Sequence, residues 1–111
     1  MNKAQAITKY VRISPRKIRL AADLVRGMAV GEAMAQLKLC GMKGGRLVLK
    51  TLGSAIANAE NRFDVKREHL KVLECRIDEG PRMKRSKPRS KGSRHPIIKR
   101  TSHIVVAVGA E

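Results

Sequence analysis

Apolar residues recur along this chain with two different periods. From Ala4 to Ile13 they alternate as in a strand, with Val11 and Ile13 on one face and Tyr10 and Arg12 on the other. Ser14-Pro15 then offers a helix start, because serine can cap the first amides and proline suits the first helical position. Ile18, Ala21, Ala22 and Val25 fall on one helical face, Arg16, Arg19, Asp23 and Arg26 on the opposite arc, and Gly27 is a stop. A shorter helix fits Glu32 to Cys40, closed by Gly41. The clearest helix runs from about Gly45 to Asn61. Its buried stripe is Val48, Leu52, Ala55, Ile56 and Ala59, and Arg46, Lys50, Ser54, Asn58 and Asn61 take the wet side. Gly53 costs about 1 kcal/mol relative to alanine inside such a helix, and its expected role is to let another element approach closely.

After a polar connection, Asn61 to Glu68, the period falls to two. Leu73, Cys75 and Ile77 alternate with Glu74, Arg76 and Asp78, and a further strand fits Thr101 to Val108 with Ile104, Val106 and Val108 on one face. The expected fold is α+β: a small three-stranded antiparallel sheet packed on about three helices. With 111 residues and no internal repeat, the chain is expected to form one domain, 1–111, around a single small core.

Charge changes the picture between the last two strands. The chain holds 25 lysines and arginines against nine acids, a net charge of +16. Gly80 to Arg100 contributes Arg82, Lys84, Arg85, Lys87, Arg89, Lys91, Arg94, Lys99 and Arg100 and no acid, together with Pro81, Pro88, Gly92 and Pro96. A loop of about 20 residues without structure is unusual in a compact domain. The segment reads either as a disordered basic insertion or as a long, ragged β-hairpin, bent near Lys91-Gly92, that continues the two strands outward by about 30 Å. So large a charge on so short a chain suits a polyanionic partner, nucleic acid first and an anionic membrane surface next.

Composition narrows the mechanism. Tyr10 and Phe63 are the only aromatics, so no platform for stacking bases exists and affinity must come from phosphate contacts, shape and backbone groups. The longest apolar run, Ile104 to Val108, is far short of a membrane span of about 20 residues. The first residues, interrupted by Lys3, Lys9 and Arg12, do not read as a secretory signal. The expected compartment is the cytosol or an equivalent organelle interior. Cys40 and Cys75 read as small buried thiols, not as a disulfide. Gly44-Gly45-Arg46 opens a helix but lacks the second half of a nucleotide-binding loop. His69, His95 and His103 form no metal pattern with the two distant cysteines; His95 and His103 suit polar contacts on an RNA-facing loop. Acids such as Asp64 and Glu68 sit in mixed-charge surroundings and read as a solvated face. No cofactor, metal or catalytic site is expected. Arg16, Lys17 and Arg19 crowd a helix N-terminus, where the helix dipole disfavours cations unless an anion is bound.

Five stretches in order are familiar: Ser14-Pro15-Arg16-Lys17-Ile18-Arg19, then Ala21 to Gly27, Ser54 to Glu60, Asp78 to Arg85, and Pro88-Arg89, Lys91-Gly92 and Lys99 to Ile104. Over essentially its whole length the chain resembles the bacterial large-subunit ribosomal protein twenty-two family. That resemblance implies an α+β body on the outer side of the subunit near the exit of the nascent-chain tunnel. It also implies a hairpin that penetrates ribosomal RNA and whose tip lines the tunnel, where changes in family members can give macrolide resistance. Carried over, the hairpin is Gly80 to Arg100, and its tip is Pro88, Arg89, Ser90, Lys91, Gly92, Ser93 and Arg94. A second RNA-facing patch starts at Ser14, with Arg16, Lys17 and Arg19. Met83 joins the hairpin's RNA-facing set on the outgoing arm, and Ser102 and His103 join it at the base. The implied partners are large-subunit RNA, neighbouring ribosomal proteins and the passing nascent chain. His95-Pro96 departs from many relatives after the tip. Two other classes compete with this one: an enzyme acting on nucleic acid, for which no cofactor loop or nucleophile arrangement is present, and a free-standing DNA-compacting protein.

Overall fold

The computed structural model describes residues 2–88 and 94–110. Strand β1 spans Asn2–Val11, and helices α1, α2 and α3 span Pro15–Val25, Val30–Leu39 and Lys43–Phe63. A 3-10 turn at Arg67–His69 leads into β2, Leu70–Glu79; β3 is Met83–Pro88, β4 is Arg94–Lys99 and β5 is Ser102–Ala110. The last strand lies in the middle of a three-stranded antiparallel sheet ordered β1-β5-β2. A central position explains why Ile104 to Val108 is apolar without interruption: both faces of that strand are buried, not the single face that its alternation suggests.

Helices α1 and α3 pack on one face of the sheet. The core there is Ile18, Val25, Leu37, Val48, Leu52, Ile56, Leu70, Val72, Ile104, Val106 and Val108. Thr8 and Thr51 join β1 to α3 through their hydroxyls at 2.8 Å. Gly27 and Gly41, at φ 79° and 69°, end α1 and α2 in the left-handed region that glycine enters without strain. The outer edge of β2 is closed by α1 and the turn after it. Arg26 Nε donates to the Cys75 carbonyl at 2.8 Å, Arg19 to that of Ile77 at 3.1 Å and the Gly27 amide to that of Val72 at 3.0 Å.

Four expectations need correction. Ser14 is the N-cap of α1 but its side chain makes no capping bond; its carbonyl accepts from Lys17 and Ile18 instead. Leu73 is half-buried and not a core residue, because a bulge between Val72 and Glu74 moves the alternation by one and places Val72 inward. The first strand ends at Val11, after a second irregularity in which Tyr10 adopts φ 60°. Nothing lies within 4 Å of where a Cβ on Gly53 would stand; the glycines that permit close approach are Gly44, where a Cβ would stand 3.3 Å from the Ile18 Cα, and Gly45, where it would meet the Cys40 sulfur.

Of the two readings for Gly80 to Arg100, the hairpin is the one observed. β3 and β4 pair antiparallel, from Met83 with Lys99 to Pro88 with Arg94, as a separate two-stranded ribbon. The ribbon stretches the molecule to 63 × 25 × 16 Å. The expected bend near Lys91-Gly92 lies outside the described residues.

Candidate nucleic-acid interface

Where the hairpin leaves the body, the chain forms an open cleft of about 810 Å³. Ile13, Leu20 and Met42 give it apolar lining, and Arg12, Lys17, Lys43, Lys99 and Arg100 line it as well, with no acid. Four separate segments supply those five cations: the end of β1, the first turns of α1 and α3, and the base of the returning hairpin arm. The absence of a side chain at Gly44, where a Cβ would crowd Ile18, permits the two helix starts to lie side by side. Ser14, the N-cap of α1, and Lys43 and Gly44, at the start of α3, all line the cleft. Neither helix carries an acid in its first turn. The free amides and positive dipole ends of both helices therefore add to the cations, and an anion bound there would relieve their mutual repulsion.

Five acids of the body are engaged elsewhere. Asp23 pairs with Arg26, Glu60 with Arg67 at 3.2 Å, Glu79 with Arg82 at 2.6 Å, and Glu74 with both Arg76 at 2.8 Å and Lys3 at 3.5 Å. Asp78 takes the other side of Arg76 at 3.2 Å. The hydrogen bond and charge of Arg82 hold the Glu79 carboxyl below its ordinary value of 4.5. Among the described residues, none of the five cleft cations forms an ion pair with a carboxylate. These five cations thus lack a carboxylate ion-pair partner among the described residues, although Glu79 at the hairpin base lies near enough to Arg100 to feel its charge.

The residues singled out in the sequence fall into three groups. Ser14, Lys17, Lys99 and Arg100 meet at the cleft, and Arg16 lies exposed beside it on α1. Met83, Lys84, Arg85, Lys87, Arg94 and His95 lie along the two arms, with Lys87 opposite His95. Pro88 and Arg94 close the described part of the ribbon, while Arg89, Ser90, Lys91, Gly92 and Ser93 lie outside the described residues. A third group is occupied within the body. Arg19 is bonded to the Ile77 carbonyl, and Arg82 is paired with Glu79. Ser102 is fully buried and its hydroxyl donates to the Ile13 carbonyl at 2.6 Å, so it does not reach the surface. His103 accepts the Tyr10 amide on Nδ1 at 3.1 Å and meets the Tyr10 ring edge-on, with centroids 5.1 Å apart. Sequence reasoning passed over Arg12 and Lys43. Arg12 stands at a wet position of the first alternation, and Lys43 directly precedes Gly44-Gly45-Arg46; only the packing of α1 on α3 brings them together.

Among the described residues, no group of histidine, cysteine and carboxylate side chains could hold a metal ion, and no helix is long and apolar enough to cross a membrane. The family described as ribosomal protein L22p/L17e matches residues 6–109. The chain is 60% identical over 108 residues to the large ribosomal subunit protein uL22 of Protochlamydia amoebophila, covering 97% of each chain. It is 54% identical over 105 residues to the protein of that name in Chlamydia trachomatis serovar L2, covering 95% of each, and 52% identical to that of Chlamydia pneumoniae. A match across nearly the whole length, body and hairpin together, means that the chain belongs to the ribosomal protein L22p/L17e family.

Proposed function

We propose that this chain is a structural, non-catalytic component of the large ribosomal subunit in the cytoplasm. It binds ribosomal RNA through the acid-free cleft at the hairpin root and through the two basic arms. The observation that carries the reading is the meeting of five cations and two helix N-termini in that cleft. The names borne by relatives at 52–60% identity supply the assembly. Phosphates seated in the cleft neutralise charge that the body leaves unbalanced and release counterions from the RNA. With a single tyrosine and a single phenylalanine in the chain, base stacking contributes little, so the RNA is recognised by shape and backbone. The hairpin extends away from the body into the RNA. Its tip lines the nascent-chain tunnel, and the body contacts neighbouring ribosomal proteins.

Sedimentation of tagged chain with large subunits tests this. The chain should co-sediment with the subunit at physiological salt in the presence of competing duplex DNA, and Arg12→Ala with Lys43→Ala should lower its retention. Release of the wild-type chain from the subunit onto the competing DNA would favour a general DNA-compacting protein instead.

A further inference from the structure

Strands β2 and β5 end their pairing at Glu79 and Ser102, and β3 and β4 begin theirs at Met83 and Lys99. Three residues, Gly80 to Arg82, cross this neck on the outgoing side, and two, Arg100 and Thr101, on the returning side. An unequal neck acts as a bulge, which bends and twists a ribbon. The ladder bonds of the two sheets therefore do not by themselves fix the direction in which the hairpin leaves. What spans the neck is a pair of bonds on Thr101. The Gly80 amide donates to its carbonyl at 2.9 Å, and its hydroxyl donates to the Pro81 carbonyl at 2.7 Å. Thr101 is only 5% exposed, so water does not replace that hydroxyl if it is lost. Gly80 is fitted to it closely: a Cβ there would stand 2.5 Å from the hydroxyl oxygen and 3.2 Å from His103 Cε1. Ser102 and His103, the next two residues, tie the same strand to Ile13 and Tyr10 at the end of β1. The neck is thus bonded across itself and back to the wall of the cleft.

We propose that Thr101 is a positioning residue. Its hydroxyl, closed over Gly80, locks the unequal neck and aims the hairpin in one direction relative to the body. It touches no ligand. The inference concerns the free chain and rests on the RNA-binding reading only for its use, which is to present the arms and the cleft to RNA as one surface.

Amide residual dipolar couplings of the weakly aligned full chain test it. In the wild type, couplings of the root residues Met83, Lys84, Ile98 and Lys99 should fit the same alignment as β1, β2 and β5. Thr101→Val keeps the volume and removes the donor. Its root couplings should shrink towards zero while those of the body keep their values, and Thr101→Ser should restore them. A purely structural threonine would lower melting temperature without selective loss at the root. Unchanged root couplings in Thr101→Val would overturn the proposal. So would root couplings already averaged in the wild type, and that arm decides even if the valine variant fails to fold. Binding of Thr101→Val to large-subunit RNA then separates the two ideas. Lost couplings with unaltered affinity leave the lock in place and remove the hairpin from the binding surface.

Discussion

Gly53 stands inside α3 with a negative φ and open space where a side chain would begin. Neither geometry nor packing requires it. Gly53→Ala should raise stability by about 0.5–1 kcal/mol, read as a higher urea midpoint at unchanged slope. Cys75 is a second test at this scale. Burial raises its thiol to about 11, with Arg26 pulling the other way. At neutral pH an alkylating reagent should modify Cys40, which is half-buried, and spare Cys75 until the chain unfolds. Because the folded value lies above the ordinary 9.0, this thiol's contribution to stability is complete below pH 9 and is lost as pH rises towards 11. Glu79 runs the opposite way. Its folded value is depressed by Arg82, so its contribution is present above pH 4.5 and disappears as pH falls through the lower folded value. Carboxyl NMR should find Glu79 titrating below the ordinary range, and Arg82→Ala should return it there. Ser102 and Leu73 illustrate what a sequence withholds at this scale. The partner of Ser102 lies 89 positions away at Ile13, and the bulge that displaces Leu73 follows from pairing with β5. Neither long-range partner leaves a mark in local periodicity.

Helix periodicity is local, so α1 and α3 were legible to within about two residues of their ends, as were the two glycine stops. Strand order is not local. That β5 lies between β1 and β2 was hidden, although the unbroken apolar run Ile104 to Val108 carried the signal of a strand buried on both faces. Charge and proline content marked Gly80 to Arg100 as a segment outside the core but left a disordered insertion and a hairpin both open; the family resemblance favoured the hairpin. Its arms pair with each other as a ribbon separate from the body's sheet. An isolated two-stranded ribbon is marginal in water, and ordering its backbone costs about 1–2 kcal/mol per residue. In the free chain, amide exchange should therefore be fast along the outer arms, beyond the root residues Met83, Lys84, Ile98 and Lys99 that the neck holds, while Leu52 and Ile56 stay protected. Replacing Pro81 to Lys99 by a tight turn should leave a folded body, since α3 and the pairing of β2 with β5 keep the core closed. An unfolded circular dichroism spectrum for that variant would place the segment within the core.

Across the whole molecule, charge is sorted by place. Acids and bases neutralise one another on α1, on β2, at the end of α3 and, through Glu79 and Arg82, at the hairpin base, whereas the five cleft cations have no ion-pair partner among the described residues. The arms were readable as a basic run, but the whole cleft was not, because only the fold brings Lys43 and the Lys99-Arg100 pair to the Arg12 to Lys17 stretch. Such an arrangement makes binding electrostatic, and electrostatic binding has a quantitative signature. The most direct measurement is the affinity of the full chain for large-subunit RNA as a function of monovalent salt. The slope of log affinity on log salt should be steep, about −0.7 to −0.9 for each phosphate neutralised. Arg12→Ala and Lys43→Ala should each reduce its magnitude by about 1. A flat salt profile, or one that neither substitution changes, would contradict the claim that the cleft and hairpin hold RNA through its phosphates.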